Sequence, residues 1–291
     1  MKSCKFIRAG FTFIELLVVT ATIAIFAAML LPSLAAARKR SQGDYCLKNQ
    51  KQMALAWIMY AGDSGSALVP NVDYVSAGLS AASVSWVAGW LTLNTASTDN
   101  TNTDMLVNHQ AYPYGAFLGP YIKMAASFKC PADLSSATIY GQKLPRVRSV
   151  SMNNFVGNPS RANNTDALAQ TSPQGSSRYA PYQKLTALRS PSLTFVILDE
   201  RENSINDGTF FTSLSGTIPA VAIADIPASY HGGAAGISFA DGHAELHQWH
   251  SSRLTVPIQA APINNLSVAG DTAGLADSYW LQQHAVGIAS P

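Results

Sequence analysis

The apolar residues of this chain are concentrated in one N-terminal run. Residues 11–31 are apolar apart from three threonines and a single acid, Glu15. A helix needs roughly 20 such residues to cross the core of a bilayer. A carboxylate within a membrane helix is unfavourable and is by default functional. The pattern therefore predicts a membrane-spanning helix over residues 11–31 whose lone acid has a specific role.

The helical pattern resumes after Pro32. Apolar residues recur at helical spacing through residues 35–60, which predicts a second half of the helix with one face for packing. The glycines in Gly62-Asp63-Ser64-Gly65 predict its end. The apolar face consists of Cys46, Leu47, Met53, Ala54, Trp57, Ile58, Tyr60 and Ala61.

Strand patterns appear only later in the chain. Residues 147–152 and the apolar run 193–198 each predict a strand, and residues 237–240 and 243–249 flank Asp241-Gly242. An Asp-Gly dipeptide between two strands predicts a hairpin with a type I′ turn. We expect an antiparallel sheet packed against the second half of the N-terminal helix.

Between these elements the chain is rich in Ser, Thr, Asn and Gly. Residues 67–129 and 157–180 read as long loops, and residues from 255 onward read as an irregular tail with a short element near 278–286. The fold class expected is α+β. We expect a basic leader over residues 1–10, a helix over 11–61 and a globular domain over 62–291.

The charge content is low and nearly balanced. Only 12% of residues are charged and the formal net charge is +2, whereas soluble globular proteins carry about 25% charged residues. No basic patch lies beyond the N-terminal region, so a nucleic acid partner is not expected.

Two ordinary interpretations of the N-terminus leave features unexplained. A secretory signal peptide cleaved near residues 35–37 would have an apolar core of about 7–15 residues, which is shorter than the run seen here. A plain membrane anchor fits the length but leaves Glu15 without a role. Basic residues flank the run on both sides, so they orient it only weakly.

The segment Gly10-Phe11-Thr12-Phe13-Ile14-Glu15 resembles the processing site of type IV prepilins. The resemblance implies that a prepilin peptidase and N-methyltransferase cleaves after Gly10 and methylates Phe11. It also implies that Glu15 pairs with the N-terminal amine of a neighbouring subunit. Such a pair is favourable because burying two opposite charges together is far less costly than burying either alone.

A second set of motifs resembles a prepilin-like family with a C-terminal H-X9-DG signature. His231 is separated from Asp241-Gly242 by nine residues, Cys130 begins a Cys-Pro-x-Asp stretch, and Cys46 lies in the helix after the anchor. On the residues alone, we expect His231 to hydrogen-bond a backbone carbonyl or Asp241 and so fix the hairpin.

Together the resemblances imply a pilin-like or pseudopilin subunit and not an enzyme. It would assemble with other such subunits into a type II secretion or type IV pilus-like structure. It would be a single-pass protein of the inner membrane, with its C-terminal domain in the periplasm or outside the cell. The alternative is a surface module that binds a glycan or peptide, with Trp86 and Trp90 among its contacts.

Two metal sites are conceivable, although no cofactor is required. His243, Glu245 and His247 alternate on one strand and, with His231 or His250, could bind zinc in a metal-dependent hydrolase. The competing interpretation is the polar face of a half-solvated strand. An oxygen-rich stretch could bind calcium, although its spacing does not fit an EF-hand and a solvated acidic turn explains it equally. The calcium candidates are Asp199, Glu200 and Asp207.

Three cysteines are present, and Cys4 lies in the predicted leader. Cys46 and Cys130 could form a disulfide, which would contribute about 4 kcal/mol for a loop of this length. The alternative is two buried thiols.

Overall fold

The computed structural model describes residues 12–73, 75–93, 97–158, 181–214, 219–256 and 261–287. Residues 1–41 and 42–291 form two compact units. The predicted processing site at Gly10 and Phe11, and most of the predicted loop 157–180, lie outside the described residues.

The N-terminal helix α1 spans Phe13–Asp63 without a break. It runs through Pro32 and through Gly43. Thr12 precedes it, and Gly65 and Ser66 follow it with positive φ. Among the described residues, α1 is the one helix long and apolar enough to cross a membrane, as judged by length and composition.

The remaining helices are short except for the last. They are α2 (Asp104–Val107), α3 (Gly119–Ile122), α4 (Ser252–Thr255) and α5 (Thr272–Val286), with 3-10 turns at Thr98–Asn100, Ala125–Phe128 and Leu185–Ala187. The segment predicted as a loop over 67–129 thus contains several helical turns.

The strands of the described residues all follow residue 135. They are β1 (Ser136–Ile139), β2 (Gln142–Pro145), β3 (Val150–Asn153), β4 (Phe195–Asp199), β5 (Thr209–Phe210), β6 (Ala222–Ile223), β7 (Ala234–Phe239), β8 (Ala244–Gln248) and β9 (Leu266–Ser267).

The central sheet has the strand order β5-β3-β4-β7-β8. Its pairs are antiparallel except for β3 with β5, which is parallel. Leu198 at the centre pairs with Ser151 on one side and Ile237 on the other. The α+β class is confirmed, with a mixed sheet in place of the purely antiparallel one expected.

The sheet is covered on both faces. Ala235, Ile237 and Phe239 alternate along β7 and join a buried cluster with Leu281 and Ala285 of α5. The other buried cluster contains three α1 residues together with sheet residues; the α1 members are Met53, Trp57 and Ala61. Burial of apolar side chains on each face is the main force that holds such layers together.

The hairpin β7–β8 is present, but its turn differs from the predicted type I′. A type I′ turn needs positive φ at both central residues, and of this pair only Gly242 has it, with φ +94°. The Gly242 amide donates to the Phe239 carbonyl at 3.0 Å, and the Phe239 amide donates to the His243 carbonyl at 3.0 Å. The connection is therefore a three-residue loop that ends in a left-handed glycine.

The C-terminal region is more ordered than its sequence suggested. Instead of a short element at 278–286, α5 is 15 residues long. Asp271 caps its first turn by accepting a hydrogen bond from the Gly274 amide at 3.0 Å. Gly287 ends it in the left-handed region at φ +67°.

Candidate functional site

One face of α1 brings Cys46 against the segment that carries Cys130. Gln42 and Asn49 lie on either side of Cys46, about one helical turn away. Their side-chain amides donate to the carbonyls of Pro131 and Lys129, each at 3.3 Å. These two hydrogen bonds clamp the residues that flank Cys130, so both cysteines are buried at the same place.

Asp199 reaches the same point from the end of β4. The Cys46 thiol donates to its Oδ2 at 2.9 Å, and the Gly236 amide donates to the same oxygen at 3.0 Å. The Gln50 side-chain amide donates to Oδ1 at 3.3 Å and to the Gly236 carbonyl at 3.1 Å. Asp199 is fully buried, and among the described residues it forms no ion pair with Lys or Arg.

His231 completes the group from the turn before β7. Its Nε2 lies 3.2 Å from the Cys130 sulfur. The ring of His231 therefore contacts Cys130 and not Asp241, whereas the expected bond to a backbone carbonyl is made by the His231 amide, which donates to the Ala234 carbonyl at 3.2 Å. Asp241 instead accepts from the amide and ring nitrogen of His243, at 3.1 and 2.6 Å.

Cys46, Cys130, Asp199 and His231 form a compact donor cluster. Each residue offers one sulfur, nitrogen or oxygen atom, and the four atoms all lie within 4.8 Å of one another. The first three are buried and His231 is half-buried. Within the described ranges, this is the one group of three or more such side chains at metal-binding spacing.

Burial and mutual contact shift the proton affinities of this cluster. The hydrogen bond to Cys130, burial and the charge of Asp199 all raise the pKa of Cys46. The pKa of Cys130 is lowered by its hydrogen bond to Cys46 but is raised overall, by burial and by Asp199. Burial raises the pKa of Asp199 to about 6 and lowers that of His231. Without a cation, these shifts favour the neutral form of each group relative to the same group in water.

No family model matches the chain, and no curated protein or solved structure is significantly similar to it.

The disulfide considered from the sequence is not formed in the structure. Cys46 and Cys130 are both free and buried, which is the alternative of two buried thiols. Their sulfur atoms nevertheless belong to the same compact cluster.

The three calcium candidates do not form a common site. Asp199 belongs to the donor cluster, whereas its neighbour Glu200 accepts from the Ser204 hydroxyl at 2.9 Å. Asp207 interacts electrostatically with two other acids, Asp73 and Asp225. Adjacent strand residues point to opposite faces, which explains why Asp199 and Glu200 separate.

The histidines in and next to β8 contact aromatic rings and acids. His243 stacks on Phe239 with ring centroids 4.2 Å apart. His247 stacks on Trp280 at 3.7 Å, and burial lowers its pKa to about 4. His250 contacts Asp277 at 3.3 Å. They therefore do not form the zinc site that was considered against a polar strand face, and of the five residues considered for it only His231 lies in a donor cluster.

The aromatic residues proposed for ligand contact are not equally accessible. Trp86 is fully buried, donates its indole N–H to the Gly208 carbonyl at 2.8 Å and stacks on Phe128. Trp90 is only half-buried. Trp86 is therefore part of the core, which weakens the hypothesis that the domain is a surface module that binds a glycan or peptide.

Glu15 lies in the first turn of α1 and has a local partner. Its Oε2 accepts hydrogen bonds from the amide and the hydroxyl of Thr12, both at 2.8 Å. The Thr12 hydroxyl in turn accepts from the Glu15 amide at 3.3 Å. This is a capping box, in which Thr and Glu three residues apart satisfy each other's amides at a helix start.

Sequence reasoning missed two supporting residues of the donor cluster. Gln50 holds Asp199, and Gly236 lies directly against Cys46 and Asp199. Helical spacing from Cys46 could have indicated Gln50, since residues four apart share a face. Nothing in the local sequence pointed to Gly236.

Proposed function

We propose that this chain is a membrane-anchored, pilin-like subunit. A prepilin peptidase cleaves it after Gly10 and methylates Phe11. The subunit then assembles through its N-terminal helix into a type II secretion or type IV pilus-like structure. Residues 11–31 cross the inner membrane once, and the sheet domain lies in the periplasm or outside the cell.

The observation that carries this proposal is the long, exposed and mostly apolar surface that α1 has over residues 13–37. Phe13, Phe26 and Met29 are 78%, 66% and 70% exposed, and every described side chain from Phe13 to Leu34 is exposed. An apolar surface of this extent in a soluble monomer would promote aggregation. Lipid or the same helices of other subunits would cover it.

The position of Glu15 supports assembly as well as anchoring. The capping box satisfies hydrogen bonds but leaves the negative charge of Glu15 uncompensated in the apolar surroundings of residues 11–31. A positive amine from a neighbouring subunit would compensate it.

Two substitutions separate the capping role from the charge role. Glu15→Gln keeps a side chain that a capping box accepts but removes the charge. Thr12→Val removes the hydroxyl but keeps the charge. Full-length variants would be expressed in the native host, and subunit contacts would be measured by cross-linking in intact membranes.

We expect Glu15→Gln to lower the amount of cross-linked oligomer by at least about tenfold while the amount of subunit in the membrane stays the same. Removal of one partner from a buried ion pair costs about 3–5 kcal/mol, because the other charge is left unpaired. Thr12→Val should have a small effect. If Glu15→Gln assembles like the unmodified protein, charge pairing is wrong and the alternative of a tethered binding module gains support.

A further inference from the structure

We propose that Cys46, Cys130, Asp199 and His231 bind one structural Zn²⁺ ion that fastens α1 to the central sheet. This inference concerns the sheet domain alone and does not depend on processing or assembly.

The donor set matches zinc in kind and number. Two sulfurs, one imidazole nitrogen and one carboxylate oxygen are ordinary ligands of tetrahedral zinc. Thiolates disfavour calcium and magnesium, which bind oxygen ligands. Zinc therefore fits these four residues better than the calcium considered for Asp199 from the sequence.

The spacing of the donors also suits a tetrahedral ion. All four donor atoms lie within 4.8 Å of one another, with Cys46 Sγ to Asp199 Oδ2 at 2.9 Å and Cys130 Sγ to His231 Nε2 at 3.2 Å. Zinc–ligand bonds of the usual lengths place neighbouring donors about 3.3–3.8 Å apart. Changes of up to about 1 Å in these separations would bring the four donors to the distances that the ion requires.

The arrangement indicates a structural rather than a catalytic site. Catalytic zinc keeps a coordination position for water or substrate, whereas structural zinc takes four protein ligands. Here four protein ligands are available, and three of them are buried. The coordination shell of the ion would consist of protein ligands alone, so the ion would have no role in catalysis.

Neighbouring groups hold the carboxylate in place. The Gln50 amide bonds Asp199 Oδ1, and the Gly236 amide bonds Oδ2. Hydrogen bonds of this kind orient metal ligands in proteins. The absence of a side chain at Gly236 leaves room for the cluster, since a Cβ there would lie 2.5 Å from Cys46 Sγ.

A route for the ion is visible beside Cys130. Cys130 and Pro131 line an open cleft together with Tyr45 and Arg146. His231 is half-buried, so one corner of the cluster is close to solvent. An entry path of this kind is one requirement of a credible metal site.

One zinc site would explain why four residues that are far apart in the sequence meet at one point. Cys46 comes from α1, Cys130 from the segment after a 3-10 turn, Asp199 from the end of β4 and His231 from the turn before β7. One ion would tie these four segments together. Zinc binding would therefore be coupled to the folding of the sheet domain.

The experiment uses the full-length protein, extracted in detergent and purified without chelator. Zinc content per chain would be measured by mass spectrometry of the metals, before and after loading with Zn²⁺ and dialysis. His231→Asn is the test variant and His243→Asn the matched control, because His243 lies nearby in the chain, in the loop of the β7–β8 hairpin, but outside the cluster. Replacement of zinc by Co²⁺ reports the ligand type in the unmodified chain.

We expect about one zinc ion per chain in the unmodified protein and in His243→Asn. We expect a loss of at least about tenfold in His231→Asn, because changes even in residues that only support metal ligands lower metal affinity about 10–100-fold. The cobalt form should show the spectrum of a tetrahedral ion with thiolate ligands. Chelation of the unmodified protein should lower its thermal midpoint, and added zinc should restore it.

Three results would overturn the proposal. The first is an unmodified chain that retains no zinc after loading and whose thermal midpoint a chelator leaves unchanged. The second is a His231→Asn variant that keeps as much zinc as the control. The third is alkylation under non-reducing, denaturing conditions that labels neither Cys46 nor Cys130, which would mean that the two sulfurs form a disulfide.

Discussion

A Cβ atom on residue 236 would lie 2.5 Å from the Sγ of Cys46, so Gly236 and Cys46 fit together only because Gly236 has no side chain. The same Cβ would lie 2.9 Å from Asp199 Oδ2. Gly236 does not have positive φ, so an alanine would be acceptable to the backbone. The restriction is steric and comes from the donor cluster.

Gly236→Ala should therefore displace Cys46 or Asp199 and destabilise the domain. We expect a loss of about 1–3 kcal/mol in the free energy of unfolding, as for other overpacked sites, together with weaker zinc retention. Gly62→Ala is the control, because nothing lies within 4 Å of its Cβ and alanine favours helix. If chemical unfolding gives the two variants equal stability, position 236 accepts a Cβ atom and the steric argument is wrong.

Truncation of Trp57 should test whether the second half of α1 is part of the core. Trp57 is fully buried, whereas Leu55 on the same helix is 53% exposed. We expect Trp57→Ala to lower the free energy of unfolding by about 3–5 kcal/mol and Leu55→Ala to change it by less than about 0.5 kcal/mol. Circular dichroism during chemical unfolding measures the free energy of unfolding of both variants. Similar losses in the two variants would show that the second half of α1 is not part of the core.

The stability of the sheet domain should depend on the protonation of Asp225. Burial raises its pKa to about 7, although a hydrogen bond from the Phe211 amide lowers it. The charged groups that interact with it are acids, namely Asp73, Asp207 and Glu200. The folded state thus favours the protonated carboxyl.

Because the folded pKa of Asp225 exceeds the unfolded value, its contribution is present in full below about pH 4 and is lost as pH rises to about 7. The loss is at most about 4 kcal/mol. Asp225→Asn keeps an acceptor for the Phe211 amide and cannot ionise. We expect a shallower fall in unfolding free energy between pH 4 and 7 for this variant, and an unchanged slope would contradict the assignment.

The elements that sequence patterns predicted well were those with strong local signals. The apolar run 193–198 became β4, and the residues around Asp241-Gly242 became the β7–β8 hairpin. Their signals lie in neighbouring residues, namely apolar runs and turn formers. The turn type failed because Asp241 keeps negative φ when a third residue joins the loop.

Weaker local signals were missed. The hairpin of β1 and β2 turns at Tyr140-Gly141, which both have positive φ, although tyrosine is not a usual residue for that conformation. Helix α5 was predicted only as a short element, because polar residues interrupt its apolar face in the sequence. Some of these polar residues, such as Asp277 and Gln282, are buried and hydrogen-bonded to other parts of the domain.

The sequence indicated each residue of the donor cluster as a candidate but did not indicate that the four residues meet. Cys46, Cys130, Asp199 and His231 each stood out in the sequence, but in different roles: the cysteines as a disulfide, Asp199 as a calcium ligand, and His231 as a residue that fixes the hairpin or as one ligand of a zinc site with the later histidines. Their meeting depends on the packing of α1 across the end of β4 and on the approach of the Cys130 segment. Contacts so distant along the chain leave no local periodicity to detect.

Intact-mass analysis of the membrane-extracted protein, from cells with and without the prepilin peptidase, tests the proposed pathway most directly. Pilin-like processing predicts a chain that begins at Phe11 and carries one extra methyl group, formed only when the peptidase is present. An uncut chain in both cells, or a chain cut near Ala37, would contradict the central claim.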